Sequence, residues 1–365
     1  MTTRDDTSTT PLAPWDFAGL LLTNWCSARC AFCYVHSGPD RRNEMTIATG
    51  LRLWRELDEL AASHGRSMRI HLAGGEPFSD WSRLAGLCRA ARDASLSPLE
   101  KIETNAFWAT DDNLTRARLE LLAALGLDRL VISCDVFHQE FIPFERVQRC
   151  VETAQAVLGR QRVRVRWWDF YQAPVDLRHA DAATRGQAYQ AALARHRDRL
   201  TGRAALLLAD LLPRHPAAEF RHENCAAAIL GSRHIHIDAA GHIFPGVCSG
   251  IIIGRADNRT VGDIWHGFAA NWPSNPVVNA LVTAGSYGLL QLAEPLGYRP
   301  RPAGYADKCH LCTHIRQFLF DRGIWPEHIG PDECYANAED TRANAGSGCA
   351  PHDLTPPTNP PTVSP

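Results

Sequence analysis

Three closely spaced cysteines are the strongest chemical signal in the sequence. They lie in the segment Cys26-Ser-Ala-Arg-Cys30-Ala-Phe-Cys33, directly after an apolar run with strand composition. An iron-sulfur cluster of the four-iron type normally takes four cysteines, so three thiolates leave one iron open to another ligand. A zinc knuckle is the alternative, but it requires four protein ligands in paired spacings, and no fourth lies nearby. The spacing therefore predicts an iron-sulfur cluster.

A glycine-rich turn follows the second predicted strand and reads Gly74-Gly75-Glu76-Pro77. Glycines let exposed backbone approach a ligand closely, and the carboxylate of Glu76 can face an ammonium group. Taken alone, this segment is a weak signal that also suits a tight turn. Its position after the cysteine loop favours a role in binding a ligand.

Short polar side chains also follow the third and fourth predicted strands. Asn105 comes after the third, and Ser133 and Asp135 come after the fourth. Such groups suit hydrogen bonds to ribose and carboxylate, and helix capping is the alternative for each of them. His138 has the same ambiguity, with a satisfied polar residue as the preferred interpretation.

The elements that must position these residues alternate between strands and helices. Repeated strand-helix units imply a parallel sheet or barrel, in which functional residues belong at the C-terminal ends of the strands. The predicted strands are Phe17–Leu22, Met68–Leu72, Lys101–Thr104, Arg129–Ser133 and Val163–Trp167. The predicted helices are Thr46–Ser63, Trp81–Ala94, Asp111–Leu125 and Phe144–Leu158, and the segment Asp176–Arg221 also has helical composition.

The cysteine loop, with the aromatic residue Phe32 before its last cysteine, resembles the CxxxCxxC signature of the radical S-adenosylmethionine (SAM) superfamily. In that family the open iron binds SAM, and an electron from the cluster splits SAM into methionine and a 5'-deoxyadenosyl radical. The resemblance implies a [4Fe-4S] cluster with SAM, and a flavodoxin- or ferredoxin-type electron donor. It also implies that SAM is bound by Phe32, Gly74, Gly75, Glu76, Pro77, Asn105, Ser133 and Asp135.

A second cysteine set lies in the C-terminal part of the chain. The segments His234–Asp238 and His242–Pro245 flank Ala-Ala-Gly, which predicts a hairpin, and Cys248 follows it. This pattern resembles the SPASM or shortened twitch domains that bind auxiliary clusters. The resemblance implies one auxiliary [4Fe-4S] cluster, with structural zinc as the alternative. Its expected ligands are Cys225, Cys248, Cys309 and Cys312.

The resemblance also sets the expected architecture. The fold class is α/β, a partial (β/α)6 TIM-like barrel with a smaller C-terminal SPASM/twitch-like α+β domain. The expected domains are a disordered N-terminus (1–14), the barrel (15–222), the auxiliary-cluster domain (223–335) and a disordered tail (336–365) that contains Cys349. The tail is rich in Pro, Thr, Asn and Gly, which cannot bury enough apolar surface to fix one conformation.

The reaction stays open at this point. The nearest resemblance is to radical SAM epimerases, which use a cysteine thiol to return hydrogen. Cys248 is then either a cluster ligand, which we prefer, or the hydrogen donor, in which case Cys334 is the candidate replacement ligand. Oxidative crosslinking, dehydrogenation and sugar modification are alternatives. The substrate is expected to be a small molecule or a peptide. A metal-stabilised electron-transfer or binding protein without SAM chemistry is the competing class.

Composition limits the partners and the compartment. The chain has 38 basic and 40 acidic residues and a formal charge of -2, so no global field attracts nucleic acid or anionic membranes. The N-terminus lacks the apolar stretch of a secretory signal. We therefore expect a cytoplasmic location, in which the twelve cysteines are metal ligands or buried thiols rather than disulfides. Cys88 and Cys150 lie in helical patterns and are expected to be buried.

Overall fold

The computed structural model describes residues 11–246 and 248–336. Its strands are β1 (Phe17–Leu21), β2 (Arg69–Ala73), β3 (Leu99–Thr104), β4 (Arg129–Ser133), β5 (Val163–Arg166), β6 (His234–Ile237), β7 (His242–Pro245) and β8 (Gly254–Arg255). Its helices are α1 (Ile47–Ser63), α2 (Trp81–Asp93), α3 (Asp112–Ala124), α4 (Val136–Gln139), α5 (Phe144–Leu158), α6 (Trp168–Gln172), α7 (Ala182–Arg195), α8 (Arg203–Leu207), α9 (Ala226–Ile229), α10 (Val261–Asn271), α11 (Pro276–Ala293) and α12 (Lys308–Asp321).

Local sequence explains where the helices of the first half begin. The side chains of Thr46, Asp80 and Asp111 accept hydrogen bonds from the free backbone N–H groups at the starts of α1, α2 and α3. Such caps satisfy donors that have no partner within the helix. Every strand and helix predicted between Phe17 and Trp168 forms, and the hairpin of β6 and β7 forms as well.

One sheet contains all eight strands, in the order β5-β4-β3-β2-β1-β6-β7-β8. The neighbours from β5 to β6 are parallel, and β7 and β8 add antiparallel pairs. The α/β class and the parallel partial barrel are confirmed. The sixth parallel strand lies beside β1 rather than β5, so the sheet is open. Strands from both sides of residue 223, where we expect the second domain to start, belong to this one sheet. That domain boundary stays a prediction.

The two faces of this sheet differ in chemistry because successive side chains alternate between them. One face is apolar and fully buried, for example at Leu20, Ile70 and Ile102. The other face, which we call the inner face, is polar over the strands β1 to β6. It includes Gly19, His71, Lys101, Glu103, Ser133, His234 and His236.

Two predicted segments differ from the structure. The helical stretch expected over Asp176–Arg221 is interrupted between α7 and α8, because Gly202 takes a positive φ of 56° to pass over the cysteine loop. Residues 11–14, expected to be disordered, are held by Ala13, whose N–H donates to the carbonyl of Leu230 over 2.7 Å. Cys349 lies outside the described residues. Within the described ranges, no helix has the length and apolar character needed to cross a bilayer.

Candidate active site

The first cysteine loop follows β1 and folds back on itself. The N–H of Cys26 donates to the carbonyl of Gly38 over 3.1 Å, and the N–H of Cys33 donates to the carbonyl of Cys30 over 3.1 Å. Cys26 and Cys30 are buried and Cys33 is half-buried. Burial is the largest cause that raises the pKa of Cys26 and of Cys30, and repulsion from neighbouring acidic groups adds to it. Deprotonated thiols here need a metal or a cation to compensate their charge.

A buried arginine supplies such a cation. Arg203, which begins α8, is 5% exposed, and its guanidinium donates to the carbonyls of Cys30 (3.0 Å) and Ser37 (2.8 Å). None of the ion pairs among the described residues includes it. A buried cation without an anionic partner costs several kcal/mol, so this geometry fits an anionic group held by the cysteines. Arg203 also lowers the pKa values of Cys26 and Cys30.

The two glycines after β2 pack closely against the protein's own backbone, and their contact with SAM stays a prediction. A Cβ on Gly75 would lie 2.0 Å from the carbonyl oxygen of Trp25, and one on Gly74 would lie 2.4 Å from that of Thr23. The N–H of Glu76 donates to the same Trp25 carbonyl over 2.8 Å. The glycines therefore join the second strand end to the start of the cysteine loop.

Glu76 is fully buried rather than exposed on a loop. Its Oε1 accepts from Thr104 Oγ1 (2.8 Å) and the N–H of Phe78 (3.1 Å), and its Oε2 accepts from the N–H of Asn105 (2.7 Å). Burial raises the pKa of Glu76 to about 7, against these hydrogen bonds, which lower it. The carboxylate thus ties the ends of β2 and β3 together, and its contact with the ammonium group of SAM stays a prediction.

The other predicted SAM-binding residues surround the cysteine loop. Asn105 is buried, and its Nδ2 lies 3.5 Å from Cys26 Sγ and 3.3 Å from Ser27 Oγ. Asp135 caps α4, and its Oδ1 lies 2.8 Å from His138 Nδ1. Burial alone would raise the pKa of Asp135, but His138 lowers it overall. Asp135 is therefore a helix cap and His138 has a hydrogen-bond partner, and the contact of Asp135 with SAM stays a prediction.

Aromatic side chains form one wall beside the loop. Phe32 stacks on Phe137 with ring centroids 5.2 Å apart and meets Trp167 edge-on at 5.9 Å. Trp167 has a positive φ of 57° and stacks on His196 at 4.2 Å. Ser133 pairs with Arg166 at the strand ends next to this wall. Pro77 is buried at the start of the short turn after Glu76.

The four cysteines predicted to bind a second cluster come together. Burial, followed by repulsion from Cys312 and Cys248, raises the pKa of Cys225 to about 12. The pKa of Cys309 is raised by burial, then by Asp307, Cys248 and Cys312. Burial and Cys312 also raise the pKa of Cys248. These mutual effects indicate that the four thiols, all of them within the described residues, lie in one region, in which no three sulfur atoms are within 4.8 Å of one another.

A second buried arginine accompanies this set. Arg316 on α12 is 3% exposed, and none of the ion pairs among the described residues includes it. Its Nη1 donates to the carbonyl of Ser249 (2.8 Å) and to Tyr335 Oη (3.1 Å), and its Nε has no hydrogen-bond partner. Burial would lower the pKa of Arg316, but Tyr335, Cys312 and Cys248 raise it overall.

Cys334 is a further buried cysteine. Its pKa is raised first by burial, and the charged groups with the largest further effects are Asp238, Arg316, Glu333 and Cys33. Both Cys33 and Cys334 act on the pKa of Tyr34, after burial and Glu103. Cys334 is therefore near the first cysteine loop. Cys88 and Cys150 are buried, as predicted.

Comparison with known proteins now decides the family. Residues 20–160 match a family model described as the radical SAM superfamily. This segment is a radical SAM domain. The match begins at the end of β1 and includes the cysteine loop, the glycine turn and the strands up to β4. Membership of this superfamily implies, for the matched segment, a [4Fe-4S] cluster that binds SAM. No curated protein matches.

Three solved structures give a weaker likeness to this chain. BtrN in complex with AdoMet and 2-DOIA has a TM-score of 0.45 and 16% identity, over 74% of this chain and 89% of that chain. SuiB of Streptococcus suis with S-adenosylmethionine has a TM-score of 0.33 and 13% identity, over 88% and 77%. The anSMEcpe enzyme with AdoMet has a TM-score of 0.41 and 10% identity, over 90% and 98%.

Sequence reasoning missed two features of the site. It assigned nothing to Arg203 and Arg316, because a lone arginine in a helical segment gives no sign that it is buried. It also assigned nothing to the histidines of β2 and β6. Their alternation at His234 and His236 did indicate a shared face, but their proximity to His71 depends on β6 pairing with β1, which the sequence does not reveal.

Proposed function

We propose that this protein is a radical SAM enzyme that abstracts a hydrogen atom from a small polar molecule bound on the inner face of the sheet. The reaction is a net oxidation, and an auxiliary [4Fe-4S] cluster accepts the electron. The ligands of that cluster are Cys225, Cys248, Cys309 and Cys312. The observation that carries the proposal is Arg316, a buried cation beside Cys248 and Cys312. Neutral thiols would leave its charge uncompensated.

The cofactors would be held by the two cysteine sets. Cys26, Cys30 and Cys33 would hold the cluster that, with SAM bound, supplies the 5'-deoxyadenosyl radical. Arg203 would offset the negative charge of that cluster and fix the loop through the carbonyl of Cys30. Asn105 would orient Cys26 through its amide. The role of these residues is thus to position the loop at the end of β1.

The substrate class follows from the inner face. Lys101 Nζ lies 2.5 Å from Glu103 Oε1, and Lys101 lowers the pKa of Glu103 overall although burial would raise it. Glu103 is therefore a charged carboxylate with a side chain 37% exposed. It can bind an amine or hydroxyl of the substrate and accept the proton released in the oxidation. Such a face suits a polar molecule better than an apolar one.

The auxiliary cysteines also have access to the surface. A cleft of about 430 Å³ is lined by Cys309 together with Arg199, Asp307 and Lys308. An electron delivered to an auxiliary cluster can therefore leave to a partner protein docked near Cys309. A flavodoxin- or ferredoxin-type protein is the chemical class that we propose for the electron donor and acceptor.

Anaerobic reconstitution tests the proposal. The full chain should bind about eight iron atoms, as expected for two four-iron clusters, and should form 5'-deoxyadenosine from SAM and dithionite. An electron-transfer or binding protein without SAM chemistry would form none. A zinc site at the second cysteine set would instead give about four iron atoms and one zinc atom with sulfur ligands.

Epimerisation is the second candidate, and the position of Cys334 near Cys33 favours it. A buried thiol there can return a hydrogen atom to a substrate radical on the inner face. Turnover in deuterated water separates the two reactions. Oxidation releases a product that lacks two hydrogens and carries no solvent deuterium at the reacting carbon, whereas epimerisation adds one deuterium and leaves the oxidation state unchanged.

A further inference from the structure

Three histidines meet on the inner face, apart from both cysteine sets. His71 lies on β2, and His234 and His236 lie on β6, on either side of β1. One ring nitrogen of each lies within 4.8 Å of those of the other two. Within the described residues, no other group of three His, Cys, Asp or Glu side chains brings its ligand atoms this close.

Gly19 makes this meeting possible. It pairs in register with both His71 and His236, so all three residues occupy one row across the sheet. A Cβ on Gly19 would lie 2.4 Å from atoms of both imidazoles. Any larger residue at this position would push the two rings apart. The strand is therefore built without a side chain where the histidines converge.

A ring contact assigns the proton of His236, and a nearby carboxylate favours one tautomer of His71. His236 Nδ1 lies 2.5 Å from the carbonyl oxygen of Gly246, and because a carbonyl only accepts, His236 carries its proton on Nδ1 and a lone pair on Nε2. His71 Nδ1 is buried without a hydrogen-bond partner, 3.7 Å from Glu103 Oε1. That carboxylate favours a proton on Nδ1, as in the carboxylate-histidine pairs of metal sites.

We propose that His71, His234 and His236 bind a divalent transition-metal ion of the zinc class. His71 Nε2 lies 2.9 Å from His234 Nε2, so these two ring nitrogens face each other. Burial lowers the pKa values of all three histidines, that of His234 to about 2, and neutral imidazoles are the form that binds a metal. A simple hydrogen bond between His71 and His234 is the competing explanation.

The donor set selects the metal class. Imidazole suits zinc, iron, nickel and copper, whereas magnesium and calcium require oxygen ligands. Three histidines also leave a fourth position open, as in catalytic rather than structural zinc sites. His236 is 5.9 Å from the ring of Tyr34, the residue after Cys33. The ion would therefore lie beside the first cysteine loop. The open position of the ion would take an oxygen or nitrogen donor of the substrate, an assignment that rests on the proposed function.

Zinc binding to the holoenzyme tests the site. The chain, with its iron-sulfur clusters reconstituted anaerobically, is incubated with Zn²⁺, desalted and analysed for zinc and iron. We expect about one zinc per chain, and zinc-edge X-ray absorption should give nitrogen and oxygen scattering with imidazole features and no sulfur. Sulfur scattering, or no retained zinc, would overturn the proposal. Iron content and 5'-deoxyadenosine formation are measured separately, so failure of the radical reaction is distinguishable from failure of this site.

Variants link the zinc to these histidines. His234→Asn changes the least buried ligand, and Gly19→Ala inserts a methyl group between two of them. Each should weaken zinc binding at least roughly tenfold with iron content unchanged, while the exposed His179→Ala should retain wild-type zinc binding. Equal zinc retention in His234→Asn and the wild type would refute the site. If Gly19→Ala does not fold, zinc retention in His234→Asn and the zinc-edge absorption of the wild-type protein still test the site.

Discussion

The guanidinium of Arg203 donates a hydrogen bond to the carbonyl of Cys30 over 3.0 Å, and its backbone N–H donates to the carbonyl of Cys33 over 2.9 Å. One residue of α8 thus holds two of the three cysteines through their backbone. It also places a buried positive charge next to their thiols. We expect this charge to favour the reduced, more negative state of the cluster.

Arg203→Gln should therefore make the first cluster harder to reduce. A charge-assisted interaction of about 1–3 kcal/mol corresponds to a potential lower by roughly 40–130 mV for one electron. Redox titration followed by electron paramagnetic resonance measures the shift. Arg203→Lys keeps the charge and should remain near the wild-type potential. A potential that is the same in Arg203→Gln and the wild type would show that Arg203 only supports the loop.

Replacing Cys26, Cys30 and Cys33 together by Ala should abolish SAM cleavage and leave the second set loaded. The second set is held by different segments, including α12 and the turn after β7. Iron should fall from about eight to about four atoms per chain, and 5'-deoxyadenosine should be absent. Wild-type deoxyadenosine formation by the reconstituted variant would contradict the assignment of this loop. Cys88→Ala, which changes a buried cysteine on α2, is the matched control for losing a thiol.

Glu76→Gln should change how stability depends on pH. Burial raises the pKa of Glu76 from 4.5 to about 7, so the folded chain holds a proton that the unfolded chain has lost. The stabilisation is complete below about pH 4.5 and is lost as pH rises through 7, by about 3 kcal/mol in total. Urea unfolding of the cluster-free chain measures it.

The difference between the wild-type and Glu76→Gln profiles is the quantity to compare. The buried histidines have lowered pKa values and titrate in the opposite direction, with stability gained as pH rises, but they contribute equally to both proteins. A constant difference between pH 4.5 and 7 would mean that Glu76 stays ionised when folded. In that case its three hydrogen bonds outweigh its desolvation.

Much of the fold was predictable because its local signals agree. Caps such as Asp80 and Asp111, and the apolar runs of β1 and β4, fix helices and strands through interactions within a few residues. The pairing of β6 with β1 was not predictable, because it joins residues more than 200 positions apart and leaves no local pattern. The open sheet and the histidine group both follow from that pairing.

The site could be predicted in the same partial way. The spacing of Cys26, Cys30 and Cys33 predicts the cluster loop, since close ligands must come from one short segment. The surroundings of Glu76 were not predicted, because its three donors come from residues after both β2 and β3. The sequence is the same whether the carboxylate of Glu76 faces a ligand or is buried in the fold.

Cys248 and Cys334 provide the last prediction. Cys248 interacts with Cys225, Cys309 and Cys312, and the carbonyl of the next residue, Ser249, accepts from Arg316. As a ligand, Cys248 connects the turn after β7 to α12 through the metal, so Cys248→Ala should lose about four iron atoms and destabilise the C-terminal segment. Iron quantitation on the anaerobic protein, with unfolding monitored by circular dichroism, measures both effects.

Cys334→Ala is the matched comparison, because Cys334 is buried and its pKa is affected by Cys33 but by none of the four cysteines of the second set. It should retain about eight iron atoms and still form 5'-deoxyadenosine. If the reaction is an oxidation, product formation should also persist, since no thiol takes part in it. If the reaction is an epimerisation with Cys334 as donor, the variant should abstract hydrogen but fail to incorporate solvent deuterium. Full iron in Cys248→Ala together with iron loss in Cys334→Ala would reverse both assignments and make Cys248 the hydrogen donor.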